Sequence, residues 1–295
     1  MKKVVFCVIS TILLMAVCIG CYIYMYEVKK EERIVEAMSK AEFAQIEGTM
    51  KIFDEDKNIT AKTYLISEKD VGIPVLLYHE FYEKEPSKDL YGLISTPEKF
   101  EQDMTTIIGE GYTFISLNRL IDYKNGIKGI PEKSVVLTFD DGYISNYELI
   151  YPILKKYNIP ATIFIIGDMV GDDRHFSWED AKKMNDEGLV SIYTHGHSHV
   201  DMTKLDINDF KEKTANILKT MEEKLGKQEH VVYSYPLGFY NDETNKVLKE
   251  LGVEMYMTTN LGLNTKNNLE TEMVKRDYVG YNFSKTKLNK ILNGK

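Results

Sequence analysis

Asp140 and Asp141 stand side by side at the end of the run Val135-Val136-Leu137-Thr138-Phe139, with Gly142 and Tyr143 directly behind them. An apolar run of this length reads as a buried strand that delivers both acids at its C-terminal end. Two adjacent aspartates ionise together in a partly dry site only when a cation or hydrogen-bond donors neutralise them. Metal binding and base catalysis are therefore a natural division of labour for the pair. The competing reading is a strand followed by an ordinary Asp-Gly turn. A second cluster, His195-Gly196-His197-Ser198-His199, places two imidazoles four residues apart, where both can reach one ion. Two histidines and a carboxylate leave an open position for water, as a hydrolytic metal site requires. His197 is read as their outward-facing neighbour, and His175 and His230, which have no partner cluster, as surface residues.

The elements that must hold these groups are visible as alternating short apolar runs and helix-period segments from about residue 71 to 285. That alternation is the pattern of βα units around a parallel sheet or barrel. Strands are expected over 73–78, 113–116, 135–139, 161–166, 190–193, 231–235, 253–258 and 274–279. A helix opens at Thr96 as N-cap with Pro97 in its first position, carries Phe100, Met104, Ile107 and Ile108 on one face, and can end near Gly111. Further helices are expected over 147–157, 178–187, 207–225 and 242–251. On this map His79, Asp140, Asp141, His195 and the Tyr235-Pro236 pair all follow strands. Parallel βα folds build their sites at the C-terminal strand ends, so separate elements direct candidate groups to one face.

Thr138-Phe139-Asp140-Asp141-Gly142 together with the HxxxH spacing of His195 and His199 resembles the first two motifs of the polysaccharide deacetylases, the NodB-homology group called carbohydrate esterase family 4. The resemblance covers roughly residues 71 to 280. It implies an α/β fold, a distorted (β/α)7 barrel of NodB-homology type, with Asp140 as general base and Asp141, His195 and His199 as metal ligands. The implied cofactor is a divalent ion, with Zn2+ favoured and Co2+, Ni2+ or Mn2+ also compatible with imidazole and carboxylate donors. Two departures stand out. Ser234-Tyr235-Pro236-Leu237-Gly238 occupies the place of an Arg-Pro-Pro-aromatic-Gly motif without its arginine, and no histidine after His230 can form the late Leu-x-His motif.

Tyr78-His79-Glu80 resembles the early histidine of the branch that deacetylates poly-β-1,6-N-acetylglucosamine, in which that residue takes the acid role. Arg276 is a candidate to replace the missing arginine in orienting Asp140, against the ordinary case of a solvated arginine. A backbone N–H near Leu237 in the Tyr235-Pro236-Leu237 stretch is the candidate oxyanion donor, and Tyr143 and Tyr235 are candidates to stack on sugar rings. The expected activity is metal-dependent N-deacetylation of an N-acetylglucosamine polymer with release of acetate. Peptidoglycan deacetylation and an inactive carbohydrate-binding relative are the alternatives.

The 295-residue chain has a net charge of -8 and no basic stripe, which argues against a nucleic-acid partner. Residues 4–26 are uncharged and mostly apolar, preceded by Lys2 and Lys3, and a helix needs only about 20 such residues to cross a bilayer. The stretch lacks an A-x-A cleavage pattern, so an uncleaved signal anchor over 1–26 is expected rather than a cleaved signal. A lipoprotein reading at Cys21 competes, but apolar residues continue beyond it. Residues 27–70 read as an extracellular stalk and 71–295 as the catalytic domain, held outside the cell on a single-pass anchor. All three cysteines, Cys7, Cys18 and Cys21, lie in the apolar segment, so any metal in the remainder falls to histidine and carboxylate.

Overall fold

The strands are buried along both faces, each face packing into its own apolar cluster, and the polar candidate residues follow the strand ends. The computed structural model describes residues 71–294, so the expected anchor and stalk lie outside the described residues. Among the described residues no helix is long and apolar enough to cross a membrane. Nine strands, β1 (Val75–Tyr78), β2 (Thr113–Ile115), β3 (Ser134–Phe139), β4 (Ala161–Ile165), β5 (Val190–Thr194), β6 (Val232–Ser234), β7 (Met255–Met257), β8 (Met273–Val274) and β9 (Asp277–Tyr278), form one sheet. Its path runs β8-β7-β6-β5-β4-β3-β1-β9 with β2 added on β3, and every ladder between named strands is parallel.

Around the sheet lie α1 (Pro97–Gly109), α2 (Leu117–Lys124), α3 (Tyr151–Tyr157), α4 (Trp178–Asp186), α5 (Ile207–Leu225), α6 (Asp242–Glu250), α7 (Lys266–Leu269) and α8 (Lys285–Leu292). Thr96 caps α1 by accepting a hydrogen bond from the Lys99 N–H, with Pro97 in the first turn as expected. Phe100, Met104 and Ile107 are fully buried, and each contributes roughly 1.5–3 kcal/mol of apolar burial. Ile108, expected on the same face, is 44% exposed. The buried stripe passes through Phe100, Asp103, Met104 and Ile107 and leaves the next position outside it.

The last strand departs from expectation in a way that shapes the fold. The 274–279 run reads as one strand, yet it is split at Lys275 and Arg276 because the Arg276 N–H turns away to the Asn260 carbonyl. Before the break β8 pairs with β7, and after it β9 pairs with β1. The two ends of the sheet path are thus joined by two residues, which curls the parallel sheet into a half-barrel bridged by this segment.

Side-chain parity then sorts the two faces. Leu76, Tyr78, Val135, Leu137, Phe139, Ile163, Val190 and Ile192 belong to one core cluster with α1, α3 and α4. Val75, Val136, Phe164, Tyr193, Val232 and Val274 belong to another, which Leu117, Leu120 and Ile121 of α2 help to fill. Residues alternate along a strand, so His79, Asp140, His195, Ser234 and Arg276 all carry the parity of the second, concave cluster.

Candidate active site

Asp140 emerges from β3 only 2% exposed, in full salt-bridge contact with Arg276, which is itself 0% exposed. The guanidinium Nη1 and Nη2 donate to Oδ1 and Oδ2 of Asp140, each at 2.7 Å, in the bidentate geometry open to arginine but not lysine. Nε donates to the Thr258 carbonyl at 2.9 Å, and Nη2 also reaches the Ser234 hydroxyl at 2.9 Å. Ser234 Oγ in turn donates to Asp140 Oδ2 at 3.2 Å. Burial alone would push the Asp140 carboxyl up, but Arg276 foremost, with His195 and His79, holds it well below the usual carboxylate range. Arg276 is therefore no solvated arginine, and its contacts are those of an orienting group.

Asp141 has the wrong strand parity to join this face, and its backbone corrects that. Its φ is 75°, in the left-handed region that a non-glycine residue adopts rarely, and Gly142 follows at 81°. At Gly142 a Cβ would lie 2.9 Å from Ile165 Cγ2, so the tight turn requires glycine there. The Asp-Gly turn and the candidate ligand are thus one feature. The turn brings Asp141 Oδ1 to 3.5 Å from His195 Nε2 and 3.6 Å from His199 Nε2.

His195 Nδ1 lies 3.0 Å from the Ser234 carbonyl, which can only accept, so Nδ1 carries the proton and Nε2 presents a lone pair to Asp141 and His199. Ligand atoms of Asp141, His195 and His199 all fall within 4.8 Å of one another, and Asp141 Oδ1 is buried without a hydrogen-bond partner. An orphaned buried carboxylate oxygen facing an imidazole lone pair suits a divalent cation, so the donor set fits one. His197 is half-buried and lines a separate small cavity, so it does not join the triad.

His79, at the end of β1, has a ring parallel to Tyr278, with centroids 5.6 Å apart and planes 4° off parallel. Asn146 Nδ2 donates to its carbonyl at 2.8 Å from a π-type turn, Asn146–Ile150, that precedes α3. Its Nδ1 is buried with no partner. Burial lowers the His79 pKa despite the opposing pull of Asp140 and Asp141, and burial also lowers that of His199 against Asp141. Both imidazoles are thus easier to protonate in the unfolded chain, whose ordinary value is about 6.5. Between the folded and unfolded values the unfolded state binds more protons, so stability falls as pH drops below about 6.5. In metal-free protein the melting temperature should decline from pH 7.5 to 5.5, and His79→Gln should flatten that decline. An equal slope in the variant would remove His79 as a cause.

The triad, Asp140 and His79 line one groove of about 450 Å³, together with Tyr143, Tyr235, Leu237 and Tyr278. Tyr143 stacks on His175 with centroids 5.0 Å apart, and burial followed by the Asp141 charge pushes its phenol up, keeping it a donor. Tyr235, expected to stack on a sugar ring, is instead fully buried: its ring packs on Tyr240 at 4.8 Å and on Tyr256, and its hydroxyl donates to Asn245. Pro236 is buried and Leu237 is 51% exposed with φ 58°. In that turn the Gly238 and Phe239 N–H groups are engaged by the Tyr235 and Pro236 carbonyls.

Sequence reasoning missed several residues. Ser234 holds three members of the site at once, yet a serine inside a strand carries no signal of its own beyond its place at the start of the altered third motif. Tyr278 was findable, since it lies two positions from Arg276 and shares its parity. His175 and His230, expected at the surface, are each 8% exposed, His175 against Tyr143 and His230 between carboxylates. Trp178 begins α4 and packs against the convex core rather than the groove.

A parallel α/β half-barrel that gathers a buried aspartate–arginine pair and an Asp-His-His triad at its strand ends defines a hydrolase of the polysaccharide deacetylase class. The chain belongs to the polysaccharide deacetylase family, whose profile matches residues 128–256, and is a hydrolase acting on amide bonds of polysaccharides. It is 31% identical over 234 residues to the YxkH protein of Bacillus subtilis (strain 168), a polysaccharide deacetylase by name, covering 79% of this chain and 80% of that one. It is 32% identical over 183 residues to the poly-β-1,6-N-acetyl-D-glucosamine N-deacetylase of Staphylococcus aureus (strain MRSA252). That alignment covers 57% of this chain and 62% of the staphylococcal enzyme. The structure of the Streptococcus pyogenes deacetylase PplD in complex with acetate superposes with a TM-score of 0.69 at 27% identity, over 76% of this chain and 99% of that one.

Proposed function

We propose that this protein removes acetyl groups from the N-acetylglucosamine units of an extracellular polymer, with poly-β-1,6-N-acetylglucosamine as the favoured substrate. The observation that carries the reading is His79. It stands in the groove with Asp140 and the triad, its Nδ1 is tied up by no hydrogen bond, and the late histidine that would otherwise supply an acid is absent from the sequence. The likeness to the staphylococcal enzyme favours the same polymer. The apolar segment over 4–26 supports a single-pass anchor with the groove outside the cell.

Asp141, His195 and His199 would hold a divalent cation, Zn2+ being the favoured ion. Bound there, it supplies Lewis-acid polarisation of the acetamide carbonyl and lowers the pKa of water at the site. Asp140, kept ionised and fixed by Arg276 and Ser234, accepts the proton of the attacking water. The backbone N–H of Leu237, in a left-handed turn that lines the groove, is the proposed donor to the oxygen on which negative charge develops. His79 delivers a proton to the departing amine nitrogen, and the ring of Tyr278 fixes the plane from which it does so. Tyr143 forms a wall against which a sugar face packs.

The deciding assay is acetate release from β-1,6-linked N-acetylglucosamine oligomers, with peptidoglycan in parallel. The wild-type protein should release acetate preferentially from the oligomer, and Asp140→Asn should lower the rate by about 10²–10⁴-fold. Preference for peptidoglycan would replace the proposed polymer. Equal rates in wild type and Asp140→Asn would defeat the base assignment.

A further inference from the structure

At the opposite ends of the strands from the groove, Asp122 of α2, Glu229 and His230 present ligand atoms that all lie within 4.8 Å of one another. His230 lies two residues before the start of β6 and is 8% exposed. Its Nε2 is buried without a hydrogen-bond partner and lies 3.9 Å from Asp122 Oδ1, too far for a hydrogen bond. The other ring nitrogen, Nδ1, is 3.2 Å from Glu254 Oε2. With Nδ1 held by a carboxylate, Nε2 is left pointing toward Asp122 without a partner, the carboxylate–histidine arrangement found behind metal-ligating imidazoles. Asp122 is 5% exposed, and Lys128 Nζ binds its Oδ2 at 2.9 Å, so Oδ1 is the oxygen left to face His230. Three carboxylates thus surround one imidazole, and Lys128 offsets a single charge.

We propose that Asp122, Glu229 and His230 form a second divalent-cation site, of the class that takes Zn2+ or a similar borderline ion, with Glu254 orienting His230. Asp122 and His230 supply its buried side, and the more exposed Glu229 closes it from solvent. The site is structural. It clips the connection between α5 and β6 to α2, whose Leu117, Leu120 and Ile121 fill the concave core beneath the groove. It is independent of the active-site reading, since it shares no residue with the Asp141 triad.

The test is zinc uptake by the full chain, measured by elemental analysis after dialysis at pH 7.5, in wild type, His230→Gln and Asp141→Asn. Wild type should retain about two equivalents and each variant about one, because each loses an essential donor from a different site. His230→Gln should still release acetate, whereas Asp141→Asn should not. Zinc should also raise the melting temperature of Asp141→Asn, and adding Asp122→Asn to it should abolish that rise. Should the Asp141 triad hold no metal, wild type would retain about one equivalent, lost in His230→Gln and kept in Asp141→Asn, which leaves the second site standing. The proposal is overturned if Asp141→Asn takes up no zinc, or if folded His230→Gln and wild type retain the same amount. The first of these results needs no change at His230.

Discussion

Replacing Arg276 with methionine is expected to lower stability by about 3–5 kcal/mol, because it strands the Asp140 carboxylate in a site that is 2% exposed. For a domain of this size that corresponds to a fall of about 6–20 °C in melting temperature. Acetate release should fall by at least about 10²-fold, since Asp140 loses both guanidinium contacts that fix its plane. The double variant Asp140→Asn/Arg276→Met separates the two effects. Removing the stranded charge should recover much of the lost stability without recovering activity, and Arg276→Lys should restore little, as an ammonium cannot bridge both oxygens. A single variant that melts and turns over like wild type would end the orienting role.

The second large effect is expected at His79. His79→Gln keeps the polar surface beside Tyr278 but cannot carry a proton, so kcat should fall by about 10²–10⁴-fold while KM and metal content stay near wild type. Burial lowers the His79 pKa, which places the loss of its acid form below about pH 6.5. Wild-type kcat should therefore decline as pH rises through that region, and the variant should lack the decline. A rise in KM with unchanged kcat would instead make His79 a binding residue.

The parts of the site legible in the sequence are those packed into short stretches of chain. Asp140 and Asp141 adjoin, His195 and His199 are four apart, and the rule that sites form at C-terminal strand ends brings the two stretches together. Arg276 was legible only as a candidate, because its partners lie 18, 42 and 136 residues away and nothing local distinguishes it from a solvated arginine. The burial of His230 depends on carboxylates from α2 and from the residue before β7, which no local pattern in the sequence connects. The eight expected strands were found because runs buried on both faces stand out as continuous apolar segments. The break in the last one was not, because it is made by a tertiary bond from the Arg276 N–H to the Asn260 carbonyl, which no local pattern announces. The helices α2, α7 and α8 are short, and their apolar faces are too brief to announce themselves.

The split strand ties the completion of the chain to the onset of chemistry. Asp140 is synthesised 136 residues before the arginine that neutralises it, and that arginine sits in the same short segment that bridges the two ends of the sheet. A chain ending before Arg276 would leave Asp140 without its guanidinium partner and the sheet with both ends of its path open. Sheet closure and the neutralisation of the buried acid therefore depend on one and the same late segment of the sequence.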